Sequence, residues 1–461
     1  MYAPCRTILK CPNLRGDKES SMNGYEMSLE TVEAFRKNWA DDASGRSLSD
    51  AFAANTLEEI VFCRDAKERL PFTFSIDLDS DGVCDQMASE RCWSFTYLNI
   101  ARRNVKKALD IAEKNFQMSH AFTYFYDQLE KSNQFMNRII KTADRPLEDA
   151  VVTKALTRPI SDFGYFGFIP LARKYGLVPK AVMPDHEVLK ATLPLTKILS
   201  MKLRWAAKKI RDARQAGCAD GELFALKQSV LGDIYRILCV FLGEPPKTFD
   251  FEYTDTQGRR RLLKDQTPLQ FMNDYAGLDL DDLVEVNHWP DSKYRFNEMY
   301  YHTDFPEEGL SYDARPGLNM RIEDIKKVAI RMLRAGQPVI FGSDPRSFAS
   351  KKYGYMDEGL FDYEGVFGTG LMMEKPFSHD YKWTVAMHMM LFMGVNFGPD
   401  GKPDRWKVQN SYGPGMGIDG HYVMSDAWFD KYIDGATLSK KFMDPETLAC
   451  LEKEPIPLSG F

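Results

Sequence analysis

Apolar side chains between Cys92 and Leu109 fall at Trp93, Phe95, Leu98, Ala101, Val105, Ala108 and Leu109. That spacing returns to one face every three to four residues and predicts a long buried helix. Arg102, Arg103, Lys106 and Lys107 lie in its later turns, where positive charge complements the negative end of the helix dipole. Asp79-Ser80-Asp81-Gly82 reads as a turn just upstream, so Cys92 is expected in the first helical turn. Two further helices are predicted over 190–217 and 222–242, joined by Ala216-Gly217-Cys218-Ala219-Asp220-Gly221. The second stops at Gly243-Glu244-Pro245-Pro246, since proline lacks the amide and the room a helix needs. Residues 1–75 are mostly polar, with helical patterning at Ser28–Trp39 and Leu57–Lys67. After a helix over Arg321–Arg334 the pattern changes. Strands are predicted at Gly336–Gly342, Trp383–Gly394, Trp406–Gln409 and His421–Met424, separated by Gly-, Pro- and Asp-rich turns. The amino half is thus helical and the carboxyl half β-rich, an α+β chain without internal repeats.

At 461 residues the chain exceeds one ordinary core, so two or three subdomains are expected. Hydrophobic content of 44% with 27% charged residues fits a soluble globular protein. The net charge of −6 gives no general attraction to nucleic acid or anionic membrane. Lys202, Arg204, Lys208, Lys209, Arg211 and Arg214 are read as a solvated or subunit-contact face rather than a nucleic-acid site. The strongest apolar run, Ile237–Leu242, is too short to span a bilayer. The N-terminus lacks a signal-peptide pattern. Eight cysteines are scattered without a CxxC pair, which points to a reducing cytoplasm and an available thiol. The histidines form no HExxH or HxxEH set, so no metal or other cofactor is expected.

Chemistry concentrates in four positions. Cleaving an amide requires a nucleophile, a proton donor for the leaving amine, and donors for the developing oxyanion. A free thiol has a pKa of about 8.5, and a helix N-terminus or an adjacent imidazolium lowers it. Cys92 has the first on sequence grounds, and His388 in Ala-Met-His-Met-Met would supply the second. Asn410 in Gln-Asn-Ser-Tyr would orient the imidazole, and Gln86, six residues before Cys92, would donate to the oxyanion. Trp93 and Tyr412 are expected to shield the pair from water.

These residues resemble the bleomycin hydrolase and aminopeptidase C family of papain-like peptidases. The resemblance runs through Gln86…Ser89-x-Arg91-Cys92-Trp93, Lys174-Tyr175-Gly176-Leu177-Val178-Pro179 and Gly243-Glu244-Pro245-Pro246-Lys247-Thr248-Phe249. It continues in Phe341-Gly342-Ser343-Asp344, His388, Trp406-Lys407-Val408-Gln409-Asn410-Ser411 and Met424-Ser425-Asp426-x-Trp428-Phe429. It implies a papain-like two-lobed fold with an inserted helical hook. The implied division is an N-terminal extension at 1–75, a helical lobe at 76–185, the hook at 186–270 and a β-rich lobe at 271–461. It also implies a cytoplasmic homohexamer that removes N-terminal residues from peptides, with its own C-terminal carboxylate in the cleft. Departures fall at Glu90, where the family has glycine, at Tyr412 in place of tryptophan, and around Gly164 in Asp162-Phe163-Gly164-Tyr165. Glu90, Trp93, Gly164 and Tyr412 are the candidate substrate-binding residues. The ending Pro457-Leu458-Ser459-Gly460-Phe461 is shorter than the family pattern, which makes an endopeptidase the alternative. A non-catalytic cage protein is the remaining one.

Overall fold

The computed structural model describes residues 27–161, 167–290, 292–302, 316–346, 348–383 and 387–458. It contains two compact units, one formed by residues 1–62 with 363–370 and the other by 63–362 with 371–461.

In the smaller unit, side-chain caps start three helices. Ser28 accepts the Thr31 amide to open Leu29–Asp41, and Asp42 accepts the Gly45 amide to open Ala43–Phe52. Thr56 and Glu59 form a reciprocal capping box at Leu57–Val61. The helix expected over Leu57–Lys67 breaks after Val61 and resumes at Ala66–Arg69. Phe52 stacks on Phe367 of the returning segment.

The larger unit has a helical side and a sheet side. The helices Cys92–Leu109 and His120–Lys141 are almost wholly inside. The paired helices Leu193–Gln215 and Asp220–Leu242 bury one stripe each, Leu195, Leu199, Leu203 and Ile210 on the first, Leu223, Val230, Ile234 and Leu238 on the second. Much of the basic run on the first helix is engaged within the chain. Lys202 pairs with Asp233, Lys208 with Asp212 and Arg214 with Asp220, while Arg211 donates to the carbonyl of Thr142.

The described strands are β1 (Ile76–Asp77), β2 (Phe249–Thr254), β3 (Arg260–Gln266), β4 (Leu283–Asn287), β5 (Met299–His302), β6 (Gly317–Asn319), β7 (Val339–Ser343), β8 (Ala349–Ser350), β9 (Tyr355–Met356), β10 (His388–Phe397), β11 (Pro403–Gln409), β12 (His421–Ser425), β13 (Ile433–Ser439) and β14 (Ile456–Leu458). The main sheet runs β14-β5-β6-β4-β13-β7-β10-β11-β12-β9-β8, with β1 added on β10, and β2–β3 form a separate hairpin. The strand predicted over Trp383–Gly394 begins at His388 and continues to Phe397.

β10 lies inside the sheet and is buried over its first eight residues, as its unbroken apolar run requires. Its Met389, Leu391 and Met393 share one core with Cys92, Trp93, Tyr97 and Leu98. A buried polar group adds a second link: Tyr97 donates to Glu285 of β4, which also accepts from Thr437 of β13. The Cys92 helix is therefore fixed against the strand that begins with His388.

Candidate active site

Cys92 opens its helix without a side-chain cap, since Arg91 at the cap position makes none. The first amides of such a helix have no partner within it and are available to a sulfur at its mouth. Burial pushes the Cys92 thiol up to about 11. Hydrogen-bonding backbone amides of Met389, Trp93 and Cys92 pull in the opposite direction, and the charge of Glu90 adds a smaller upward push. The Met389 amide matters most for geometry. It belongs to the residue after His388, and Met389 shares a core with Cys92, so the thiol lies close to the start of β10.

β10 and β11 pair antiparallel with Leu391 opposite Gln409. Continuing that register brings His388 level with Tyr412 and places Asn410 on the adjacent diagonal. The side chains follow. His388 Nε2 lies 2.8 Å from Asn410 Oδ1, and that oxygen also accepts the Ser411 amide at 2.7 Å. An oxygen already accepting one amide requires a donor in the ring, so Nε2 carries the proton. Nδ1 is left as the basic nitrogen. Tyr412 stacks on the imidazole with ring centres 5.0 Å apart and planes at 4°. Burial lowers the His388 pKa to about 4, the Asn410 bond raises it, and the positive charge of Lys351 lowers it further. Burial also raises the Tyr412 phenol, with the charge of Cys92 as the second cause.

Each shift opposes charging one group alone. Passing the proton from sulfur to nitrogen charges both together, and their attraction in a buried setting then offsets the desolvation. The thiol and imidazole can act as a nucleophile and an acid–base pair.

Gln86 is held by its loop on every side. Its backbone amide donates to the carbonyl of Ser411 at 2.8 Å, and Asp85 accepts the Met87 amide to turn the chain. The Gln86 side-chain oxygen accepts from Ser411 Oγ, while Nε2 donates to the carbonyl of Ser89, both at 2.6 Å. An amide nitrogen has two hydrogens, so one remains for an oxyanion. Arg102, on the same helix as Cys92, donates to the carbonyls of Ser80 and Gly82 and fixes the turn leading to Gln86. Gln86→Ala is expected to lower kcat by roughly 10²–10³-fold with little change in melting temperature; steady-state kinetics checks it.

Beside these residues lies a cleft of about 590 Å³, lined among others by Gln86, Met87, Glu90, Arg158, Leu193, Lys351 and Tyr412. Cys92 and His388 are 3% and 6% exposed and do not themselves line it. Glu90 stands on the wall in an ion pair with Arg158 at 3.1 Å. Trp93 is 1% exposed and belongs to the core. It does not line the cleft: one residue past Cys92, the helix turns its side chain inward. Gly164 and the Phe461 carboxylate lie outside the described residues. Sequence reasoning missed Lys351 and the Met389 amide. Lys351 sits in an ordinary Ser-Lys-Lys-Tyr stretch with no signal, whereas an amide beside a strand's first residue follows from the fold. Among the described residues, no group of three or more His, Cys, Asp or Glu side chains is placed to hold a metal.

Comparison with known proteins adds to this geometry. The model of the Peptidase C1-like family matches residues 26–461. Aminopeptidase C of Lactobacillus delbrueckii subsp. lactis is 32% identical over 419 residues, covering 91% of this chain and 92% of that protein. Aminopeptidase C of Streptococcus thermophilus is 32% identical over 430 residues, covering 93% of this chain and 96% of that protein. The crystal structure of PepW from Lactobacillus rhamnosis superposes with a TM-score of 0.89 at 33% identity, covering 94% of this chain and 98% of that one. The architecture is accordingly the α+β, papain-like cysteine peptidase fold with a helical hook, and the chain belongs to the Peptidase C1-like family of cysteine-type peptidases.

Proposed function

We propose that this protein is a cysteine aminopeptidase that removes N-terminal residues from short peptides, with Cys92 as nucleophile. His388 is the acid–base, Asn410 its orienting partner, and Gln86 an oxyanion donor. The observation that carries this reading is the His388 imidazole held by Asn410 and Tyr412 at the first residue of the strand whose Met389 shares a core with Cys92. The aminopeptidase part draws on relatives named aminopeptidase C, G, W and E.

In the proposed cycle the Cys92 sulfur, its proton passed to His388 Nδ1, attacks the scissile carbonyl carbon. The oxyanion takes hydrogen bonds from Gln86 Nε2–H and the Cys92 backbone amide. His388 Nδ1–H then protonates the leaving amine as the C–N bond breaks, giving a thioester on Cys92. Water, deprotonated by the same nitrogen, releases the acid and restores the thiol. Glu90 and Tyr412 border the substrate in this reading, and Gly164 is assigned to substrate backbone by the family resemblance alone.

A peptide with a free N-terminus should lose residues in order from that end, and its N-acetylated form should be cleaved at least about a hundredfold more slowly. This expectation corresponds to losing a charge-assisted contact to the amine. Equal cleavage of the acetylated peptide at internal bonds would overturn the aminopeptidase assignment in favour of an endopeptidase.

Ile198, Met201 and Trp205 form an exposed apolar stripe on the first hairpin helix, which supports a subunit contact and the homohexamer. Sedimentation should then give the mass of six chains, and a monomer would contradict it. Cys63, Cys84, Cys92, Cys218, Cys239 and Cys450 are free thiols, as suits a cytoplasmic protein; recovery in a secreted fraction would contradict that location.

A further inference from the structure

We propose that Lys351 forms a carboxylate-binding subsite on the leaving-group side of the cleft, so that substrates carrying negative charge just beyond the scissile bond are favoured. This rests on the peptidase reading above and goes further by assigning a specificity residue.

Position comes first. Lys351 follows β8, and its carbonyl accepts the Gly417 amide at 2.9 Å, which anchors the backbone. Its Nζ lies 4.1 Å from the ring centre of Tyr412, the same ring that stacks on His388. His388 is the group that delivers a proton to the departing amine. Side chains gathered around the His388–Tyr412 stack therefore face the leaving portion of a bound peptide. Lys351 lines the cleft together with Gln86 and Tyr412.

Charge comes second. The other charged side chains on the cleft wall, Glu90 and Arg158, are paired with each other. Lys351 has no carboxylate or carbonyl partner for its ammonium among the described residues. Burial is the one influence on its pKa, which it lowers. Lys351 is exposed at the cleft, so its ammonium, partly compensated by the Tyr412 face, keeps its three donors open to an incoming acceptor. Among the described residues the cleft wall thus presents one positive charge without a carboxylate beside it, and a substrate carboxylate is the chemistry that completes it.

Two sources can supply that carboxylate. One is an acidic side chain on the first residue after the scissile bond, and the other is the terminal carboxylate of a very short peptide. The test measures kcat/KM for tripeptides in two matched pairs: glutamate against glutamine at the first leaving residue, and a free C-terminal acid against the amide. Wild-type protein should prefer the carboxylate member of one pair by roughly tenfold or more, and that pair names the source. The preference should collapse towards unity in Lys351→Met and survive in Lys351→Arg. Each ratio is taken within one protein, so a general loss of folded enzyme cancels. A wild-type ratio near unity in both pairs, or a preference that persists in Lys351→Met, would overturn the subsite and leave the lysine as support for Tyr412. Failure of wild-type protein to cleave any of the four peptides would instead remove the peptidase reading itself, and the subsite with it.

Discussion

Cys92→Ala is expected to abolish peptide cleavage, with kcat falling by roughly 10⁴–10⁶-fold, the range seen when a covalent nucleophile is removed. Among the described residues no other cysteine shares the mouth of this helix. Cys84, eight residues upstream, is buried with its sulfur between Asn99 and Arg102. The fold should survive the change. The side chain loses one heavy atom from a tightly packed site, a cost on the order of 1 kcal/mol, and the helix keeps Trp93, Tyr97 and Leu98 in the core. Steady-state kinetics beside a thermal melt separates the two effects. Turnover within tenfold of wild type would remove Cys92 from the mechanism.

His388→Gln should be nearly as damaging, lowering kcat/KM by roughly 10³–10⁵-fold, because one ring serves as base for the thiol and acid for the amine. It should also change the form of the pH dependence. Burial holds His388 neutral down to about 4 and holds the proton on Cys92 up to about 11. Between those limits the two groups share a single proton, whichever atom carries it. As pH falls through the lower limit a second proton enters, the base is lost, and kcat/KM drops. As pH rises through the upper limit the shared proton leaves, the acid is lost, and kcat/KM drops again. The wild-type profile is therefore a plateau with two descending limbs. The glutamine variant should instead show residual activity that climbs with pH, following the thiol alone. A variant with the wild-type plateau would contradict the pairing.

Much of this site could be read from the chain because it rests on local periodicity and a few chemically distinctive residues. The Cys92–Leu109 helix follows from the apolar spacing, and β10 from an uninterrupted apolar run. Helix bounds for the hairpin shift by only a few residues, from 190–217 to Leu193–Gln215. Other features were hidden for physical reasons. Strand β3, Arg-Arg-Leu-Leu-Lys-Asp-Gln, is largely exposed and does not alternate, so nothing in its composition signals a strand. β5 and β6 have only four and three residues and are fixed by neighbours distant in sequence. Trp383 looked like a strand start because β-branched Thr384 and Val385 follow it in sequence, yet the ladder with β7 begins at His388 opposite Ser343. That Trp93 lies in the core and not on the cleft was hidden too, because sequence shows adjacency to Cys92 but not rotation about a helix axis. Lys351 acquires meaning only when β8 and the segment after β11 are brought together around Tyr412.

The most direct test of the central claim is the pH dependence of Cys92 alkylation by iodoacetamide, followed by intact mass in wild type and His388→Gln. If the imidazole withdraws the thiol proton, wild type should be alkylated stoichiometrically at Cys92 across neutral pH. The variant should then react appreciably only in alkaline solution. Superimposable curves for the two proteins, or modification that leaves Cys92 untouched while activity disappears, would contradict a Cys92–His388 couple.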